Sequence, residues 1–256
     1  MSVDLVINDA VAEVTLDNSG RKNAISMAMR QELQKVFLQL QDDEKTRAIV
    51  ISGAGADFSA GSDLKEMGEP DVAAAMERIR LLQRMLTAVA EIDKPVIAAV
   101  QGVCIGASWS LALAADFIIA AEDARFQFSF GRVGLAPDCA ASHLLARHVG
   151  LMRAKEIVYS GRTVSGNEAA ELGLALEAIP GDQVLPKARA MAATFAKSAA
   201  LSLTMAKRQF GAASAQTLSD ALALEANMHP LLMQSEDFRE GKSAFSEKRA
   251  PLFKGK

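Results

Sequence analysis

The sequence predicts an α/β protein built on a largely parallel sheet, with a helical C-terminal part. Three observations predict it. Short apolar strands alternate with longer segments of helical spacing through the first half of the chain. Their spacing suits right-handed crossovers over a parallel sheet. After Ala124 helical spacing dominates. The predicted division is 1–198 for the α/β core and 199–256 for the helical part, with no low-complexity linker and no repeat.

The elements follow in order. "MSVDLVINDAVAEVTLD" alternates apolar and polar residues and reads as strands, not as a signal or transit peptide. Ser26 to Leu40 has helical spacing at Met29, Leu33, Val36, Phe37 and Leu40. "RAIVISG" is a buried strand. The next helix, "DVAAAMERIRLLQRMLTAVAEID", has Asp71 as N-cap and Ile79, Leu82, Leu86 and Val89 on one face. Strand "PVIAAV", a helix from about Ala107 and strand "DFIIAA" complete the core pattern. Further helices are expected at Asp138–Val149, Met152–Tyr159, Lys187–Lys197 and Leu218–Met233. One more opens at "SGNE", where Ser165 and Glu168 have capping-box spacing and Gly173 can close the helix in a left-handed turn.

Composition narrows the function. Half of the 256 residues are hydrophobic and the formal net charge is -3, so a general basic field for nucleic acid is missing. The two cysteines, Cys104 and Cys139, have no metal or disulfide spacing, and a reducing cytoplasm fits them best. No motif demands a metal. Pro95 to Ala115 carries no charge and has the length of a spanning helix. Pro95, Gln101-Gly102 and Gly106 break it into a strand, a turn and a short helix, so no membrane is expected.

"GAGADFSAGSDL", residues 53 to 64, is the most informative turn. A dinucleotide site wants a third glycine and an immediate helix. Phe58 stands where that glycine belongs, and the loop continues instead. A second loop, "QGVCIGASWS", sets Gly102 and Gly106 just ahead of the helix at Ala107. First-turn amides of a helix lack intrahelical partners and sit at the positive end of its dipole. If Gly61-Ser62 points into the same space, two backbone N–H groups converge on one oxygen.

"GRKNAIS", "GAGADFSAGSDLKEM", "KPVIAAVQGVCIGASWSLALAADFIIAAEDARF" and "GLAPD" occur in the order and spacing of the crotonase superfamily, which the chain resembles over essentially its whole length. The closing "REGKSAFSEKRAPLFKGK" is similar to that family's C-terminus. The resemblance implies a ClpP/crotonase-like spiral of ββα units, a helical trimerisation region, and homotrimers or dimers of trimers. It implies acyl-CoA thioester substrates, with coenzyme A arriving as part of the substrate and no separate cofactor. The enolate oxygen would be held by the amides of Ser62 and Ala107. Arg21, Asn23 and Ala24 would line one side of the substrate, and Ala60, Asp63, Leu64 and Lys65 the other. Gly106, Ser110 and Phe130 would complete the lining. Two bland readings stand beside these: Asn23 as a helix cap, and Asp63 as a brace for its own loop.

The hydratase branch of this family places glutamates where Ser110 and Phe130 stand here, and neither residue is a carboxylate. Asp138 coincides with the aspartate of isomerase branches, including dienoyl-CoA and epoxyphenylacetyl-CoA types. An N-cap role for "PD" before an apolar helix competes with catalysis there. A dehalogenase reading lacks its histidine, since His143, His148 and His229 do not match, although His143 is near enough along the helix to reach Asp138's pocket. Trp109 reads as core. Double-bond migration through a held enolate, with Asp138 as the base, is therefore expected first. Hydration of a 2-enoyl-CoA, or acyl-CoA binding without turnover, are the alternatives.

Overall fold

Alternation in "VAEVTLD" buries Ala12, Val14 and Leu16 on one face. The flanking segments accordingly pair as an antiparallel hairpin of β1 (Ser2–Asn8) and β2 (Val11–Asp17). Asp9 makes the turn at φ 52, a left-handed conformation that a short polar side chain tolerates. The computed structural model describes residues 1–66, 68 and 71–256. From the hairpin the chain continues through α1 (Met27–Asp42), β3 (Ala48–Gly53), α2 (Val72–Ala90), β4 (Val96–Val100), β5 (Val103–Ile105), α3 (Ala107–Ala114), β6 (Phe117–Ala121) and β7 (Arg125–Gln127). Then come α4 (Ala141–Ser160), β8 (Thr163–Ser165), α5 (Gly166–Glu171), β9 (Glu177–Ile179), α6 (Gly181–Ala196), α7 (Ala200–Ala212), α8 (Leu218–Leu232) and α9 (Glu236–Glu247).

The main sheet has the order β1-β2-β3-β4-β6-β9, and every pair after the first is parallel. A second sheet has the order β5-β7-β8. β4, "VIAAV", is buried at every position, as expected of a parallel strand covered on both faces. Helix α6 lies across β2, β3, β4 and β6. Each fully buried valine or isoleucine in these strands contributes on the order of 1.5–3 kcal/mol. The uncharged run from Pro95 is therefore core, divided among β4, β5 and α3. Among the described residues no helix is long and apolar enough to cross a membrane.

Capping followed the sequence closely in places. Asp71 accepts from Ala74 N at 2.8 Å, Ser165 accepts from Glu168 N at 3.1 Å, and Gly173 has φ 72. Elsewhere the structure corrects it. Helix α2 buries Leu82, Leu86 and Val89 as expected and adds Leu81 and Met85, whereas Ile79 is 37% exposed because the helix buries no residue before Leu81. The helix expected from Asp138 begins only at Ala141, although the expected break before Met152 is present, since Gly150 at φ 73 is non-helical. Helix α6 starts six residues before Lys187 and contains Pro186, which reads as a breaker in sequence. The three-residue strands β5, β7, β8 and β9 are too short for periodicity to reveal.

Candidate active site

The loop after β3 is laid along β5 by backbone hydrogen bonds. Phe58 N donates to Gln101 O at 2.7 Å, Ser59 N to Val103 O at 2.9 Å, and Ile105 N to Ser59 O at 3.1 Å. Further on, Ile25 N donates to Gly61 O at 2.7 Å and Asp63 N donates to Ile25 O at 3.2 Å. These two bonds bracket Ser62 in a parallel bridge, so the backbone N–H of Ser62 itself points away from Ile25. Gly61 has φ 86, and a Cβ built there would collide with Ile105 O and lie 3.5 Å from Ala107 N. The two loops are thus in backbone contact. Gly106, at φ 59, turns the chain into α3 and makes Ala107 its first residue, with an N–H that has no intrahelical acceptor.

A cleft of about 380 Å³ opens at this junction. Ser62, Ala107 and Asp138 all line it. So do Arg21 and Ala24 on one side, Ala60, Asp63, Leu64 and Lys65 on another, and Gly106 and Phe130. Two predicted lining residues are not on its wall. Asn23 is fully buried: its Nδ2 donates to Ala54 O at 2.8 Å and Asp57 O at 2.7 Å, and its Oδ1 accepts from Asn18 N at 3.0 Å. It braces three loop segments, and Ser26, not Asn23, caps α1 by accepting from Met29 N at 3.1 Å. Ser110 is also fully buried, inside α3. Trp109 is core, stacked on Phe128 with ring centres 4.3 Å apart.

Asp63 braces its loop as well as lining the cleft. Its Oδ2 accepts from Arg21 Nη1 at 2.7 Å and its Oδ1 from Lys65 N at 3.0 Å. Burial raises this carboxyl, but the Arg21 and Lys65 contacts outweigh it and hold Asp63 below the ordinary carboxylate value.

Asp138 behaves differently. Ala140 occupies the cap position of α4, and Asp138 contributes only its carbonyl, which accepts from Ala141 N at 2.9 Å. Capping by its side chain is therefore excluded. Cys139 and Ala140 follow at φ 52 and φ 54, two successive left-handed residues that cost on the order of 1–2 kcal/mol each. Asp138 Oδ1 is buried with no hydrogen-bond partner among the described residues. Burial pushes the carboxyl above its ordinary value, with Arg30 pulling the other way. The neighbouring Cys139 thiol is pushed up to about 12, chiefly by burial. His143 is exposed on α4.

The model of the enoyl-CoA hydratase/isomerase family matches residues 6–256. The chain belongs to that family. It is 37% identical over 250 residues to a probable enoyl-CoA hydratase of Rhodobacter capsulatus, covering 98% of this chain and 96% of the relative. It is 33% identical over 256 residues to the 1,2-epoxyphenylacetyl-CoA isomerase of Escherichia coli, covering 98% and 97%. The crystal structure of an enoyl-CoA hydratase from Bacillus anthracis superposes with a TM-score of 0.96 at 30% identity, covering 100% of both chains. The fold is the crotonase fold, and the chain is an acyl-CoA enzyme.

Three buried polar residues near the cleft escaped the sequence reading. Ser108 Oγ donates to Ser59 O at 2.7 Å and accepts from Ile105 N at 2.8 Å, tying the two loops together. Ser59 Oγ in turn donates to Asn23 O at 2.7 Å. The third is Arg30, only 5% exposed. Its signal was available, since Arg30, Leu33, Phe37 and Leu40 share one helical stripe, and an arginine on a buried stripe is unusual.

Proposed function

We propose that this enoyl-CoA hydratase/isomerase family enzyme moves a double bond from the 3- to the 2-position of an enoyl-CoA. One observation carries the reading: Asp138 is the cleft carboxylate with an oxygen left unpartnered among the described residues, while Phe130 and the buried Ser110 occupy the positions of the hydratase glutamates. Asp138 takes a proton from the α-carbon, and the electrons of the broken C–H bond pass into the thioester carbonyl to form a dienolate. The N–H groups of Ser62 and Ala107 hold the dienolate oxygen. Protonated Asp138 then returns the proton to the γ-carbon, leaving the double bond conjugated with the thioester. One carboxylate suffices for this 1,3-shuttle, and the only coenzyme required is the coenzyme A carried by the substrate.

Arg21 and Lys65, both exposed at the cleft mouth, suit the phosphates of coenzyme A. Self-association into a trimer or a pair of trimers is supported by apolar side chains on the C-terminal helices, including Phe210, Leu218 and Phe245, exposed by 77%, 77% and 87%. The test is to supply a 3-enoyl-CoA and follow the appearance of conjugated thioester absorbance. Conversion supports the reading. Hydration of crotonyl-CoA without isomerisation, or tight acyl-CoA binding without turnover, overturns it.

A further inference from the structure

Behind the oxyanion loop lies a second, smaller cavity of about 30 Å³, lined in part by Arg30, Ser62 and Asp138. Asp138 and Ser62 line the main cleft too, so they stand between the two spaces. Two polar atoms beside this cavity have no partner among the described residues: Arg30 Nε and Asp138 Oδ1. Among the described residues, Arg30 Nη1 makes two long contacts, at 3.4 Å from Arg78 O and 3.6 Å from Met27 Sδ. A buried N–H donor and a buried carboxylate acceptor, both unmet, destabilise the fold unless a partner is supplied. A water requires a polar site with about 10–15 Å³ of room, and the cavity meets both conditions.

Resting on the isomerase reading, we propose that this cavity is a single-water site joining Arg30 Nε to Asp138 Oδ1, and that Arg30 is thereby a positioning residue for the base. The water accepts from Arg30 Nε–H and donates to Asp138 Oδ1. With Oδ1 tied at the rear, the other carboxylate oxygen is turned to the substrate. The buried guanidinium also favours the ionised carboxylate that proton abstraction needs, against the desolvation that opposes it.

Other charges near this pair come from several elements. Arg78 faces it from α2, Asp63 and Glu66 from the loop after β3, and Cys139 adjoins Asp138. Asp63 is occupied by Arg21, and Glu66 Oε2 accepts from Met27 N at 2.7 Å. Among the described residues, Arg30 acts on Asp138 with a charge of opposite sign.

The test uses the full-length enzyme with Arg30→Met, which keeps the bulk, and Arg30→Lys, which keeps the charge but moves the donor. A high-resolution crystal structure of the unaltered protein is expected to show one water within about 3 Å of both atoms. The acid limb of kcat/KM is expected to move up by about one pH unit or more in Arg30→Met, where the opposite charge is gone. Its kcat should fall at least about tenfold, a fraction of the 10²–10⁴ a general base supplies, with KM little changed. Arg30→Lys should keep the acid limb near its original place while still losing kcat. An empty cavity, or an unmoved acid limb in Arg30→Met, overturns the inference. Should Arg30→Met not fold, a kcat in Arg30→Lys equal to that of the unaltered enzyme overturns it equally. Asp138→Asn separates the two levels: full activity there removes the isomerase reading itself, whereas an inactive Asp138→Asn beside an unmoved Arg30→Met removes only the role of Arg30.

Discussion

The carbonyl of Ile105 occupies the place that a side chain on Gly61 would need. Neither partner can yield cheaply, because Ile105 is held to Ser59 and Ser108 through its own N–H and Gly61 is held through Ile25. Gly61→Ala is therefore expected to displace the loop and the Ser62 amide with it. Turnover should fall by about 10²–10³, the loss typical of one oxyanion donor, and the melting temperature should drop. Normal turnover in this variant would show that the Ser62 amide is not used.

Ser62 and Ala107 differ in what a substitution removes. Ser62→Ala keeps the backbone donor and should leave kcat within a few-fold. Ala107→Pro deletes an N–H at the first position of α3, where proline is otherwise well accommodated. It should cost about 10²–10³ in kcat with a nearly unchanged melting temperature. Steady-state kinetics beside thermal denaturation distinguish a lost donor from a damaged helix.

Asp138→Asn should lower isomerisation by about 10²–10⁴. It should also change how stability depends on pH. Burial raises the native carboxyl above its unfolded value of about 3.9, so the folded state holds this proton more tightly. The contribution to stability is full below the unfolded value and is lost as pH rises through the native one. Relative to the unaltered enzyme, Asp138→Asn should therefore gain stability across that rise. Parallel curves of melting temperature against pH for the two proteins would contradict the raised value.

Asn23→Ala tests a brace. Three backbone groups, from Asn18, Ala54 and Asp57, lose their partner at a fully buried site. At about 1–3 kcal/mol for each stranded group, even partial rescue by water leaves a clear loss in chemical denaturation. A variant as stable as the original would return Asn23 to the role of an incidental loop residue.

Much of the fold was legible because burial writes itself into spacing: "VIAAV" and the Leu33–Phe37–Leu40 stripe have only one economical placement. The glycines around both loops marked where backbone must come close, and the "PD" before α4 marked the carboxylate. What the chain alone left open were contacts between residues far apart in order. It gave no means of seeing that Asn23 turns inward to Ala54 and Asp57, that Asp138 does not cap its helix, or that Arg30 shares a cavity with it. Local pattern reports which face of an element is apolar. Whether a polar side chain on that face meets backbone, charge or substrate is set by the elements packed against it, and only the folded arrangement brings those together.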